Sequence, residues 1–322
     1  MMPYHSVYAP LLNQYIAFKR SYGLKFRMEY ALKELDDFFF ITGASTLGVT
    51  REQAELWARR RPNEADSNLS QRILNLNGFC RYLINVGYPS FVPQLRKPHS
   101  TFTPRILTHE EMARLFKAAD ERAVGRRTQS SSSHSKLFPV ALRLLYATGM
   151  RAGELVALTV ADVDLNEGTI LIRESKNGKD RLVPLSDSML EILKGYSARH
   201  NLFANASMPF FRRRDGKPCR RNSLYAQFRV CIEMAGIHHE GRGKGPRLHD
   251  VRHTAAVHSM AAMADAGLDL YYCLPLLSKY LGHSSLGSTE KYVRLSEEYF
   301  PGVLNDANSI APSIFPEVHH DR

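Results

Sequence analysis

The stretch Leu248-His249-Asp250-Val251-Arg252-His253 decides how the rest of the chain is read. From Asp250 the sequence continues rich in Ala, Val and Met without a proline, which predicts a helix over 250–266. On such a helix His249, Arg252 and His253 fall at i, i+3 and i+4 and share one face. Two imidazoles and a guanidinium side by side repel one another unless an anion lies among them. Arginine cannot shed its charge, and its planar fork takes phosphate oxygens two at a time. The face therefore reads as a phosphate site; the bland reading, a solvated His/Arg cluster, competes with it until the rest of the chain is considered. Downstream come Leu281-Gly282-His283 and then Tyr292, nine residues past that histidine.

Composition bounds what such a site can serve. The 322 residues suffice for two domains, and 44% hydrophobic with 23% charged residues is ordinary for a globular protein. Lys and Arg number 43 against 32 Asp and Glu, a net charge of +11. Residues 1–100 hold 13 basic and 8 acidic side chains, so the excess is shared between the two parts of the chain rather than confined to a tail. That favours a polyanion gripped by both parts. Cys80, Cys219, Cys231 and Cys273 form no C-x-x-C pair, which argues against a zinc site or a disulfide framework. His238, His239 and His249 have no carboxylate or thiolate in register, so neither metal nor cofactor is expected. No signal-peptide layout and no apolar run of membrane length is evident, so a cytoplasmic protein is expected, associated with the nucleoid when on DNA, with no membrane partner.

Residues 1–95 read as helical: 11–23, 28–40, a short helix opened by the capping box Thr50-Arg51-Glu52-Gln53 and running to 60, and 68–86. The basic residues here (among them Lys19, Arg20, Arg51, Arg72 and Arg81) are either a solvated face or contacts to a DNA backbone. A proline-containing stretch without periodicity marks a linker over 96–104, and Thr108-His109-Glu110-Glu111 caps the first helix of a second domain, 105–300. The serine-rich 125–135 reads as a loop and 137–148 as an apolar helix stopped by Gly149.

In Thr148-Gly149-Met150-Arg151-Ala152-Gly153-Glu154-Leu155, Arg151 is expected in the first turn of a new helix, where a cation opposes the helix dipole. That small cost hints at a task elsewhere, and Glu154 one turn on is placed to hold it. Strands over 169–175 and 181–185 flank Lys176-Asn177-Gly178-Lys179, where Asn-Gly signals a two-residue type I′ hairpin with Lys176 at its tip. A turn lysine ordinarily serves solubility. Basic runs at 212–214, 220–221 and 242–247 suit phosphate contact, while the glycine-rich 241–245 lacks the P-loop pattern.

Together these motifs, in this order and approximate spacing, resemble the tyrosine recombinases, the phage-integrase family. The residues carrying the resemblance are Thr148 to Leu155, the hairpin Lys176, Arg181-Leu182-Val183-Pro184-Leu185, the His249 to His253 stretch, Leu281-Gly282-His283 and Tyr292; it covers about 105–300. It implies a mainly α fold with a small antiparallel sheet (α+β). Residues 1–95 match the family's helical core-binding domain in general layout only. One departure is length: 31 positions separate Arg252 from His283, more than in compact Xer-type members, with the excess over 267–280. This favours an integrase or transposon recombinase of a mobile element over a chromosome-dimer resolvase.

What the resemblance implies for chemistry is specific. Arg151 and Arg252 would clamp the non-bridging oxygens of a phosphodiester, with His283 donating to them. Tyr292 would be the nucleophile, although a phenol of pKa about 10 is only ~0.1% ionised at pH 7 and needs activation. His249 is the expected proton acceptor, His253 the weaker candidate, and Lys176 the acid for the leaving 5′-oxygen. Tyr299 is the fallback nucleophile; Tyr280 lies on the wrong side of the histidine. A type IB topoisomerase shares this chemistry, and a silent DNA-binding accessory remains a third reading, though it has no need of Tyr292.

Expected partners are double-stranded DNA, three further copies in a tetramer on two duplexes, and an accessory recombinase or directionality factor. The tail 301–322 mixes apolar residues with prolines and is expected to dock on a neighbouring protomer. Truncation before Pro301 should abolish tetramers on DNA in a native gel; a truncated chain that still assembles four protomers contradicts the docking role.

Overall fold

The computed structural model describes residues 3–23, 26, 29–95, 103–124, 133–173, 178, 180–200, 202, 205–213, 215–239, 241 and 245–282. Lys176, His283, Tyr292, Tyr299 and the tail 301–322 lie outside these residues, as do most of the linker and of the serine-rich loop. By its contacts the chain divides into two compact units, Met1–Phe102 and Thr103–Arg322.

The first unit contains α1 (Ala9–Ser21), α2 (Glu29–Ile41), α3 (Arg51–Trp57) and α4 (Asp66–Asn85). Their apolar stripes meet in one core, where Leu12, Leu35, Phe39, Leu76, Phe79 and Leu83 are fully buried. Each such side chain contributes roughly 1.5–3 kcal/mol. The buried Asp36 carboxylate accepts from the backbone N–H groups of His5 at 2.7 Å and Ser6 at 2.9 Å, pinning the N-terminal segment to α2. The Thr50–Gln53 capping box is present in both directions.

Two expectations fail here for one reason. α3 ends at Trp57 rather than at 60, and Arg72 is a buried brace rather than a surface cation. From α4 its guanidinium donates to Trp57 O and, at 2.9 Å, to Arg59 O, while holding Glu64 at 2.7 and 2.8 Å. Carbonyls that would have continued the helix are thus satisfied from outside it, and Arg72 is removed from the residues able to face DNA.

The second unit begins with α5 (His109–Val124), whose expected cap is formed by Thr108 and Glu111. α6 (Ser133–Thr148) starts a turn earlier than the apolar pattern suggested and carries Pro139 inside it. An interior proline costs about 3 kcal/mol, which burial of the adjoining Leu137 and Phe138 offsets. Then follow α7 (Ala152–Ala157), β1 (Val163–Asp164), β2 (Thr169–Ile172), β3 (Arg181–Pro184), α8 (Asp187–His200), α9 (Arg221–Met234), α10 (Asp250–Asp265) and α11 (Leu270–Leu281). The fold is mainly helical with one small antiparallel sheet, ordered β1-β2-β3. Ile170, Ile172 and Val183 turn inward from it onto the core beneath α6 and α8.

Among the described residues β2 and β3 pair from Thr169↔Pro184 to Ile172↔Arg181, and the expected turn at 176–179 lies, apart from Gly178, outside the described residues. Arg173 Nε reaches the Asp162 carboxylate at 2.5 Å. The long segment between Arg252 and His283 contains α11, which has Pro275 within it and packs Leu277 and Leu281 against Val257 and Met260 of α10. Among the described residues no helix is long and apolar enough to cross a membrane.

Gly149 makes the turn from α6 towards α7 at φ +58°, and a Cβ there would sit 2.5 Å from Leu281 Cδ2. Gly149→Ala should cost about 1–2 kcal/mol for the left-handed backbone alone, read as a lower melting temperature. An unchanged midpoint would show that the turn relaxes freely.

Candidate active site

The site is built where three separated segments meet: the 149–154 turn, the first turn of α10 and the end of α11. Arg151 does not stand in the first turn of α7 as expected but at its N-cap, with extended backbone (φ −75°, ψ 144°). The positive end of the helix dipole still faces it there, and the Glu154 carboxylate offsets that. Glu154 accepts from its backbone N–H at 2.9 Å and from Nη1 at 2.8 Å. Arg151 Nη2 reaches Gly282 O at 3.3 Å.

Arg252 on α10 is buried, at 3% exposure, and bridges the other two segments. Its Nη1 donates to Gly149 O at 2.7 Å and its Nη2 to Leu281 O at 2.8 Å. His249 lies immediately before α10, with His253 edge-on to it at 4.9 Å between ring centroids. Part of the His249 residue reaches solvent. The protein packed around its ring, then the guanidiniums of Arg252 and Arg247, hold its pKa below the ordinary histidine value. It is therefore neutral at pH 7 and able to take a proton. Asp250, fully buried, is held by Arg247 through a backbone N–H at 2.9 Å and a side-chain Nη2 at 3.0 Å, which fixes the start of α10 beneath His249.

Three of the six residues expected in the site are thus brought together: Arg151 and Arg252 bond the end of α11, and His249 lies within the field of both guanidiniums. Lys176, His283 and Tyr292 belong to residues outside the described set, although His283 directly follows Gly282. Tyr280, rejected as nucleophile on position, has its hydroxyl donating to Ala147 O at 3.3 Å, and burial pushes its pKa up. Among the described residues no cluster of metal-ligating side chains occurs.

The sequence profile of the phage integrase family matches residues 105–298, more than half of the chain and all three of the gathered residues. The chain belongs to the phage integrase family. It is a tyrosine recombinase of the integrase type, an enzyme of site-specific DNA recombination. A putative integrase/recombinase of Sinorhizobium fredii (strain NBRC 101917 / NGR234) is 29% identical over 306 residues, covering 91% of this chain and 94% of the relative. Tyrosine recombinase XerC of Bacillus subtilis (strain 168) is 28% identical over 302 residues, 90% of this chain and 85% of that one. Among solved structures, a lambda integrase (75–356) dimer bound to a COC′ core site superposes with a TM-score of 0.63 at 18% identity, covering 87% of this chain and 93% of that one. That likeness speaks for the fold.

Sequence reading missed the recombinase's second arginine on Glu154. Arg181, the first residue of β3, holds both Glu154 oxygens, from Nη2 at 2.7 Å and Nη1 at 3.2 Å. Its only sequence signal was a place in the Arg181 to Leu185 run. Burial alone would raise the Glu154 pKa; bonds from Arg181 and Arg151 overcome it and bring the pKa down to about 2. Because the folded value lies below the unfolded one, this stabilisation is complete above the ordinary carboxylate range and is lost as pH falls towards 2. Its size is on the order of 3 kcal/mol. Glu154→Gln should be less stable than wild type at pH 7, with the two melting temperatures converging as pH is lowered. A constant gap across that range would show that the carboxylate's charge contributes nothing.

Proposed function

We propose that the recombinase cleaves and rejoins DNA through a 3′-phosphotyrosyl intermediate formed on Tyr292. The observation that carries this is the meeting of Arg151 and Arg252 at the residue pair Leu281-Gly282, one peptide before His283, with His249 within the field of both guanidiniums. Arg151 and Arg252 neutralise the non-bridging oxygens of the scissile phosphate, where negative charge grows in the transition state. Without DNA both guanidiniums bond backbone carbonyls of 281–282, and the phosphate oxygens compete for those donors. Arg252, being buried, reaches the phosphate only once the site opens. His283 adds a donor.

The Tyr292 phenol attacks phosphorus and passes its proton to neutral His249. The bond from phosphorus to the 5′-oxygen breaks, and Lys176 on the hairpin protonates that oxygen. The phosphotyrosyl bond conserves the energy of the cleaved one, so a 5′-hydroxyl from a partner duplex reverses the step without ATP or metal. Residues 1–95 act as a core-binding domain on the duplex, in keeping with the basic excess in both parts of the chain. Exchange between two duplexes takes four protomers, tied by the tail 301–322. Integration or excision of a mobile element, with or without an accessory factor, is the process served; relatives named integrases and recombinases favour it over topoisomerase-like relaxation.

The test mixes the full chain with nicked duplexes tiling the DNA beside its own coding sequence. An SDS-resistant protein–DNA adduct is expected with wild type and none with Tyr292→Phe. Binding without an adduct on every duplex would overturn the reading in favour of a silent accessory.

A further inference from the structure

Arg181 is as well anchored as any residue near the site, yet no phosphate contact is assigned to it. Its side chain is only 9% exposed, as is fitting for a group that faces protein rather than ligand. Besides its fork on Glu154, its Nε donates to Tyr280 O at 3.0 Å. The last three residues before His283 therefore each give their carbonyl to a different arginine: Tyr280 to Arg181, Leu281 to Arg252 and Gly282 to Arg151. These are carbonyls that a helix C-terminus leaves without partners of its own, at the negative end of its dipole. Gly282 has φ +69°, and a Cβ there would lie 2.6 Å from Arg181 Nη1. A side chain at 282 would have to push the guanidinium aside, and the left-handed backbone there favours glycine in any case.

Arg181 also opens β3, the strand on which the Lys176 hairpin returns, paired with Ile172. One residue thus stands by its backbone at the base of the hairpin and by its side chain holds the carboxylate that aims Arg151 and the peptide that leads into His283. We infer that Arg181 is a positioning residue of the recombinase, setting Arg151 through Glu154 and fixing the α11 terminus from which His283 departs. A lysine would supply the charge but not the fork, which spans both carboxylate oxygens while a third N–H holds a carbonyl. The inference rests on the proposed roles of Arg151 and His283 but makes a structural claim that can be read without cleavage.

The experiment uses the full chain as wild type, Arg181→Met and Arg181→Lys, with circular dichroism confirming the fold; Arg181→Lys serves if Arg181→Met does not fold. Amide hydrogen exchange is measured first. The Arg151 N–H, bonded to Glu154, and the Gly282 N–H should exchange at least tenfold faster in the variant, while α9 is unchanged. Single-turnover cleavage of a nicked duplex is measured next. Arg181→Met should be at least tenfold slower with DNA affinity within about twofold, Arg181→Lys should recover only part of that loss, and adding Arg181→Met to Arg151→Ala should slow cleavage by clearly less than it slows wild type. Unchanged exchange at 151 and 282, or losses that multiply in the double variant, would overturn the positioning role. Faster exchange in the variant combined with no adduct from wild type would support the positioning role and sink the phosphotyrosyl reading instead.

Discussion

A helix that ends inside a protein leaves carbonyls without partners, and everything near this site is arranged around three of them. The carbonyls of Tyr280, Leu281 and Gly282 accept from Arg181, Arg252 and Arg151, which come from three separate parts of the chain. That single junction joins the sheet, the 149–154 turn and α10. It also explains Gly149 and Gly282, each at positive φ where a side chain would strike Leu281 or Arg181. Close approach of backbone to guanidinium, rather than a pocket, is what the local sequence provides.

Crowding cations is costly, and two buried carboxylates make it tolerable. Glu154 lies between Arg151 and Arg181, and Asp250 holds Arg247 below His249. Neither cancels the positive character of the place; the protein packed around His249, and after it that same field, keeps the imidazole's pKa below its ordinary value. The outcome is a surface suited to an anion beside a group ready to accept a proton, which is what phosphoryl transfer to a tyrosine needs.

Much of this was legible in the sequence because it is local. The α10 period, the Thr50 and Thr108 caps and the spacing of His249 and Arg252 each depend on residues within a turn or two of one another. What was not legible depends on distant partners. Arg72 looked like a surface cation until Trp57 O and Glu64 were brought to it. The contact of Arg173 with Asp162, eleven positions upstream, likewise has no local signal. Arg151 was placed one position too far into its helix because the Glu154 cap could not be distinguished from an ordinary i, i+3 pair. Arg181 went unassigned because nothing in the sequence sets it opposite Glu154.

The central claim is that Arg151 and Arg252 act by neutralising the charge of one phosphate. The direct measurement replaces that phosphate in a nicked duplex with a methylphosphonate, which removes the negative charge while keeping the leaving group. Adduct formation is then compared for Arg151→Ala and Arg252→Ala on both substrates. Charge neutralisation predicts variants that are inert on the phosphodiester and recover adduct formation on the methylphosphonate. Variants equally inert on both would contradict it, leaving the arginines as braces for α11 alone.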